Sequence, residues 1–182
     1  MTAQKQAAFM KAYDGCHDAF VRYCSALAYG KMDTEDLVQD VLLSAYTHFE
    51  KIEKKGQFLH YLIRAARNRS VSKWRKAKFQ TALLEKHTER LEAQGVSPDL
   101  ALDIQILYKT MDRLPEHQKD ALILFEITGF SMKEIANIQG STEGAVKTKI
   151  SRARKRLRQL MEGKSTQNAI TPIFSTLQTV TL

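Results

Sequence analysis

The sequence is short of the residues that interrupt, staple or flatten a fold. Three prolines and eight glycines among 182 residues leave long stretches free to be helical. No run alternates apolar and polar residues convincingly enough to suggest a sheet, so an all-α fold is expected. Cys16 and Cys24 are the only cysteines, and their spacing of eight matches no metal or redox motif. They read as small core hydrophobes in a reducing compartment. His17, His48, His60, His87 and His117 are scattered without a pair at ligand spacing, and no carboxylate cluster suggests a two-metal site. That argues against a nucleic-acid-processing enzyme, and no metal or cofactor is expected. The N-terminal MTAQKQAAF has no apolar signal core, and the longest apolar run, near Ala121 to Phe125, is far too short to span a bilayer. The expected location is cytoplasmic.

What the chain does have is positive charge, in two blocks. The net charge is +8. Met1 to Glu50 carries 4 basic and 7 acidic side chains (net −3), and Lys51 to Phe79 carries 10 and 1 (net +9). Gln80 to Phe130 carries 5 and 9 (net −4), and Ser131 to Leu182 carries 9 and 3 (net +6). Two basic blocks separated by acidic ones imply two distinct polyanion contacts.

The second block has the form of a helix-turn-helix, from Ser131 to Arg158. Ile135, Ala136 and Ile138 face one side of a short helix, with Ala136 small where a second helix crosses. Gly140 supplies a residue that tolerates positive φ at the turn, and Ser141 or Thr142 caps the next helix. Val146, Ile150, Ala153, Leu157 and Leu160 then form one apolar stripe on an otherwise basic helix. Such a helix packs on its own domain while lying in a major groove.

Elsewhere, Phe9, Tyr13, Cys16, Phe20, Tyr23 and Leu27 predict a first helix from about Gln4 to Tyr29, ended by Gly30. Asp33 caps a second, whose stripe is Leu37, Val41, Leu42, Ala45, Tyr46 and Phe49, with Asp36, Gln39 and Asp40 on or beside its exposed face. A third runs from Phe58 to Phe79, apolar at first, then basic with aromatics interleaved, a pattern suited to single-stranded nucleic acid. Thr81 to Ile104, broken by Gly95 and Ser97-Pro98, reads as a linker, partly helical near Leu83 to Leu91. A short helix is expected over Ile106 to Arg113, another with Pro115 at its first position and Gly129 at its end. The uncharged tail after Lys164 is either disordered or a docking peptide. The resulting division is 4–79, a flexible linker 80–104, 105–162, and a tail 163–182.

LPEHQKDALILFEITGFSMKEIANIQGSTEGAVKTKISRARKRLRQL resembles region four of bacterial sigma factors. EDLVQDVLLSAY followed by FLHYLIRAARNRSVSKWRK resembles region two. Their order and spacing are similar to the extracytoplasmic-function (ECF, group IV) sigma factors, over about Phe9 to Leu160. The resemblance implies a non-enzymatic subunit that gives core RNA polymerase its promoter specificity. It implies polymerase contact through Asp36, Gln39 and Asp40. It places capture of the minus-ten non-template strand on Tyr61, Asn68, Arg69, Lys73, Arg75 and Lys76, with Ile52 to Phe58, including Lys54 and Lys55, around an unstacked base. Reading of the minus-thirty-five element falls to Thr142, Glu143, Lys147 and Thr148, with Lys149, Arg152, Arg154 and Lys155 near phosphates. Implied partners are core RNA polymerase, promoter DNA and an anti-sigma factor, membrane-bound in many members; no small-molecule substrate is implied. The chain departs from the family pattern at Tyr61, Ser72 and Gln139, the last standing where an apolar residue is usual.

Opening about ten base-pair steps at a mean of ~1.4 kcal/mol costs on the order of 14 kcal/mol. The chain holds no phosphate-cradling NTPase loop, so strand capture with a larger partner must supply that energy. The isolated chain is expected to bind promoter DNA poorly. A stand-alone regulator, the alternative, would explain Ser131 to Arg158 but not the other basic block or EDLVQD.

Overall fold

A computed structural model describes residues 2–53, 57–74, 80–161 and 170–180, which hold eleven α-helices and no strand. The first unit comprises α1 (Thr2–Asp14), α2 (His17–Ala28), α3 (Thr34–Thr47), α4 (Phe49–Glu53) and α5 (Phe58–Trp74). The single first helix expected from the apolar stripe is thus two helices. The chain breaks at Gly15 and Cys16, and because the break is only two residues long the apolar spacing runs straight through it. Phe9 of α1 meets Tyr46, Phe49 and Phe58 edge-on at centroid distances of 5.2, 5.2 and 5.4 Å, which fastens α1 over α3, α4 and α5. Leu37, Val41 and Ala45 of α3 and Leu62, Ile63 and Ala66 of α5 complete this core. Each large apolar side chain buried there stabilises by about 1.5–3 kcal/mol. Cys24 is buried and Cys16 half-buried, both as free thiols, and burial pushes the Cys16 thiol up to about 11.

The segment joining the units is itself folded. Helix α6 (Thr81–Ala93) buries Leu84, His87 and Leu91 and returns to the corner between α2 and α3. There the Gln80 N–H donates to the Gly30 carbonyl at 2.8 Å, and the Gly30 N–H donates to His87 Nδ1 at 3.2 Å. Lys86 donates to Asp33, and Arg90 Nη2 donates to Glu35 Oε1 at 2.5 Å.

The second unit contains α7 (Pro98–Met111), α8 (Glu116–Leu122), α9 (Met132–Gln139) and α10 (Glu143–Met161). Helix α7 starts earlier than expected because Ser97 caps it, its side chain accepting from Leu100 N, with Pro98 in the first turn. Pro115 is the N-cap of α8 rather than its first helical residue. Helix α8 continues as a π-helical turn over Ile123–Ile127 with Thr128 as its C-cap, and Gly129 at φ 81° closes it as expected. The tail docks within the chain: α11 (Ile170–Thr179) buries Ile173, Phe174 and Leu177 against the π turn and α7. Gln178 Nε2 donates to the Glu126 carbonyl at 2.8 Å.

The two units meet along a polar seam. Tyr23 donates to Asp120 Oδ1 at 2.5 Å, and Lys31 donates to Asp112 Oδ2 at 2.5 Å while Lys119 donates to Asp112 Oδ1 at 2.7 Å. Burial pushes the Asp112 carboxyl up, but the Lys119 and Lys31 ammoniums outweigh it and hold the group low. Arg64 of α5 donates from Nε to the Ile138 carbonyl at 2.7 Å and from Nη2 to the Asn137 carbonyl at 3.1 Å, closing the C-terminal end of α9. The rings of Tyr29 and Tyr108 stack across the seam at 4.1 Å, and His87 stacks on Tyr29 at 5.0 Å. Tyr29 and Tyr108 are 2% and 3% exposed, and neither hydroxyl has a partner among the described residues. An unmade buried hydrogen bond costs about 1–3 kcal/mol, so this seam is one that water can profitably enter.

Candidate nucleic-acid interface

Helix α3 presents its acidic face because Asp33 caps it, accepting from Glu35 N at 2.9 Å and Asp36 N at 3.4 Å. Asp36, Gln39 and Asp40 are all exposed. The same face carries Leu43, 71% exposed, three residues after Asp40. Sequence reasoning misses Leu43, although its helical spacing from Gln39 and Asp40 marks it. An exposed leucine flanked by carboxylates is suited to a protein partner with apolar and basic groups.

Across the first unit, α5 carries Tyr61, Asn68 and Arg69. Tyr61 is half-buried, its hydroxyl 3.2 Å from Ser44 Oγ, while Asn68 is exposed and Arg69 partly so. A cavity of about 430 Å³ opens here, lined by His48, Lys51, Ile52, Gln57, His60, Tyr61 and Arg64. A volume of that order holds a small flat group, and its wall combines an aromatic face with cations. The sequence does not single out Arg64, His48 or His60 for this wall, since nothing local places α4 against α5. Lys73 lies on α5 with its side chain outside the described part, and Lys54, Lys55, Arg75 and Lys76 lie outside the described residues.

The helix-turn-helix is built as its sequence requires. Ser131 and Glu134 form a reciprocal cap on α9, Glu134 N donating to Ser131 Oγ at 3.3 Å and Ser131 N to Glu134 Oε2 at 2.8 Å. Gly140 takes φ 61° and ψ 42°, the left-handed turn that ends α9. Thr142 caps α10, accepting from Ala145 N at 3.2 Å. Val146, Ile150, Ala153 and Leu157 are buried against the rest of the unit. Thr142, Glu143, Lys147, Thr148, Arg152, Arg154 and Lys155 are exposed. Arg154 is turned back to Glu126, its Nε 2.5 Å from Oε1, and lies over the Phe125 ring. Lys149 is half-buried and donates to Gln139 Oε1 at 2.8 Å. Gln139 Nε2 donates in turn to Asp120 Oδ2 at 2.8 Å, which accounts for a polar side chain before the turn.

A basic helix set on a helix-turn-helix, a second basic helix beside an aromatic-walled cavity and an acidic face thus sit on separate elements. The model of sigma-70 region 2 matches residues 12–80, and that of sigma-70 region 4 matches residues 104–157. The chain is 31% identical over 130 residues to the ECF RNA polymerase sigma factor SigF of Caulobacter vibrioides, covering 71% of each chain. The chain belongs to the ECF RNA polymerase sigma factors. This sigma factor is also 29% identical over 128 residues to the ECF RNA polymerase sigma factor EcfG of Rhodopseudomonas palustris, covering 70% of each. Its structure is similar to that of the sigma factor RpoE in complex with the anti-sigma factor NepR from Bartonella quintana. That match has a TM-score of 0.61 and 28% identity, covering 86% of this chain and 98% of that one. CnrH, solved in complex with the cytosolic domain of CnrY, shares the fold at a TM-score of 0.65 and 23% identity, covering 90% and 96%. As a sigma factor it serves promoter-specific transcription initiation through regions two and four, and its family is one of non-catalytic transcription regulators. Among the described residues no helix is long and apolar enough to cross a membrane.

Proposed function

We propose that this group IV sigma factor docks on core RNA polymerase through Asp36, Gln39, Asp40 and Leu43. The observation that carries the reading is the exposed acidic and apolar face of α3 beside a cationic helix, a combination that a stand-alone DNA-binding regulator does not need. Region two captures the minus-ten non-template strand along Tyr61, Asn68 and Arg69, continuing through Lys73, Arg75 and Lys76. An unstacked base enters the cavity bounded by Tyr61 and Arg64, beside Lys54 and Lys55 in sequence. Region four reads the minus-thirty-five element with Thr142, Glu143, Lys147 and Thr148, held by phosphate contacts from Lys149, Arg152, Arg154 and Lys155. An anti-sigma factor that covers the α3 face and the α10 face would silence both partners at once; RpoE from Bartonella quintana, a structural relative, is solved in complex with the anti-sigma factor NepR.

The closed chain cannot engage both elements together. A compact chain of 182 residues has a radius of gyration of about 16 Å, hence a width of about 40 Å. Elements about 25 base pairs apart lie about 85 Å apart on B-form DNA. The two units therefore separate on the promoter.

The test is run-off transcription with purified core polymerase on a pool of upstream regions. Initiation should depend on the chain and drop at least tenfold for Asp36→Arg, Gln39→Ala and Leu43→Asp. Tight sequence-specific DNA binding by the chain alone, with core polymerase unaffected, would instead establish the stand-alone regulator.

A further inference from the structure

The seam that closes the molecule draws one cation from each of the two DNA-facing surfaces. Arg64 lines the cavity on the strand-capturing face, yet both its hydrogen bonds go to the last carbonyls of α9. Lys149 lies on the recognition helix, yet its ammonium is bound to Gln139, Gln139 to Asp120, and Asp120 to Tyr23 in the first unit, with Arg67 Nε 3.6 Å away. Asp120 is 4% exposed, so its buried carboxyl oxygens depend on those donors for their hydrogen bonds. A phosphate that captures Lys149 takes away the group orienting the Gln139 amide and so weakens a donor to Asp120. One that captures Arg64 uncaps α9 on the same side of the seam.

We propose that this chain is held closed by the cations it needs for DNA, so that DNA binding and closure of the two units compete for Arg64 and Lys149. Gln139 is the joint between them. It is a positioning residue: among the described residues its side chain is hydrogen-bonded to Lys149 on the DNA side and to Asp120 on the side of the first unit. Linkage makes the effect reciprocal, so loosening the seam from the far side must raise affinity for DNA. The Tyr29 and Tyr108 hydroxyls, without a partner among the described residues, gain hydrogen bonds to water when the seam parts, which favours opening. The inference rests on the proposed role of α10 as a phosphate-contacting helix, but not on any polymerase contact.

Tyr23→Phe removes a single hydroxyl remote from α10, and Gln139→Leu removes the joint while keeping side-chain size. The full-length chain and both variants are compared by small-angle scattering and by titration of a 30-base-pair duplex of random sequence at several salt concentrations. With the seam as described, both variants gain radius of gyration and bind the duplex at least about fivefold more tightly at low salt. The slope of log affinity against log salt steepens by about one, as Lys149 becomes available to phosphate. Excess duplex expands the unmodified chain as well. If Tyr23→Phe, with its helical spectrum and cooperative melt retained, leaves dimensions, affinity and slope unchanged, the coupling is refuted. A fall in its affinity for the duplex refutes the coupling equally. Failure of the polymerase reading shows separately, as run-off transcription that ignores the chain while the scattering and duplex results stand.

Discussion

Replacing Asp33 by alanine should weaken polymerase binding although Asp33 lies outside the proposed contact face. Its carboxylate caps α3 through the Glu35 and Asp36 amides and receives Lys86 from α6. Loss of an aspartate cap costs about 1 kcal/mol, within a range of about 0.5–2. The Lys86 pair, with side chains 23% and 42% exposed, adds less than about 1 kcal/mol. A total of about 1–2 kcal/mol falls on the turn that carries Asp36 and bounds the loss of affinity at about five- to thirtyfold. Asp33→Asn keeps an acceptor for the two amides and loses only the charge, so it should stay within about threefold of the parent. Competition binding to core polymerase, with Lys86→Met completing a double-mutant cycle, separates the two contributions. If Asp33→Asn loses as much as Asp33→Ala, the charge and not the cap matters. If Asp33→Ala binds normally, the first turn of α3 plays no part in docking.

Other consequences are simpler to measure. His87 is buried, Nδ1 accepting from Gly30, and burial holds its pKa below the ordinary 6.5. The unfolded chain therefore binds the proton first, and stability present above pH 6.5 is lost as pH falls from there through the folded value. Thermal unfolding should show a falling Tm over that window, with the slope reduced in His87→Gln. Phe174→Ala, at about 3–5 kcal/mol for a buried phenylalanine, should undock α11. Hydrogen exchange should then lose protection over 170–180 while α8 and α10 keep theirs; unchanged tail protection would count against the docking. Arg152→Ala should flatten the salt dependence of duplex binding by about one unit of slope. Arg154→Ala should change it less, because Glu126 already holds that guanidinium.

The helix-turn-helix is legible in the sequence because every signal there is local. Ala136, Gly140 and the Val146, Ile150, Ala153, Leu157 stripe each act within a few residues of where they are read. The acidic face of α3 is legible for the same reason. The break at Gly15 and Cys16 is not, since a two-residue interruption shifts the helical phase too little to disturb an apolar stripe. The docking of α6 and α11 is only half visible. Leu84, His87 and Leu91 share one helical face, as do Ile173, Phe174 and Leu177, but where each face lands is a tertiary fact. The pairing across the seam leaves no periodic signal in the sequence. Tyr23 and Asp120 are 97 residues apart, and a pair of that kind has no periodicity to betray it. Gln139 stands out only as a polar residue where an apolar one is usual, and its two hydrogen bonds supply the reason.

The hydrogen bonds at Gly30 also bear on how the chain folds as it is made. Gly30 adopts φ 68°, a turn that presents its carbonyl to Gln80 and its amide to His87. The turn at Gly30 therefore acquires its contacts with α6 only when that helix has left the ribosome, some fifty residues after the turn that receives it. Synthesis at roughly 5–20 residues per second makes that a wait of a few seconds. Through that interval the Tyr29 ring waits without its His87 and Tyr108 neighbours, and the apolar corner it shares with α2 is open to chaperones. Slower translation through the codons for 81–93 should therefore lengthen the time for which that corner stands open.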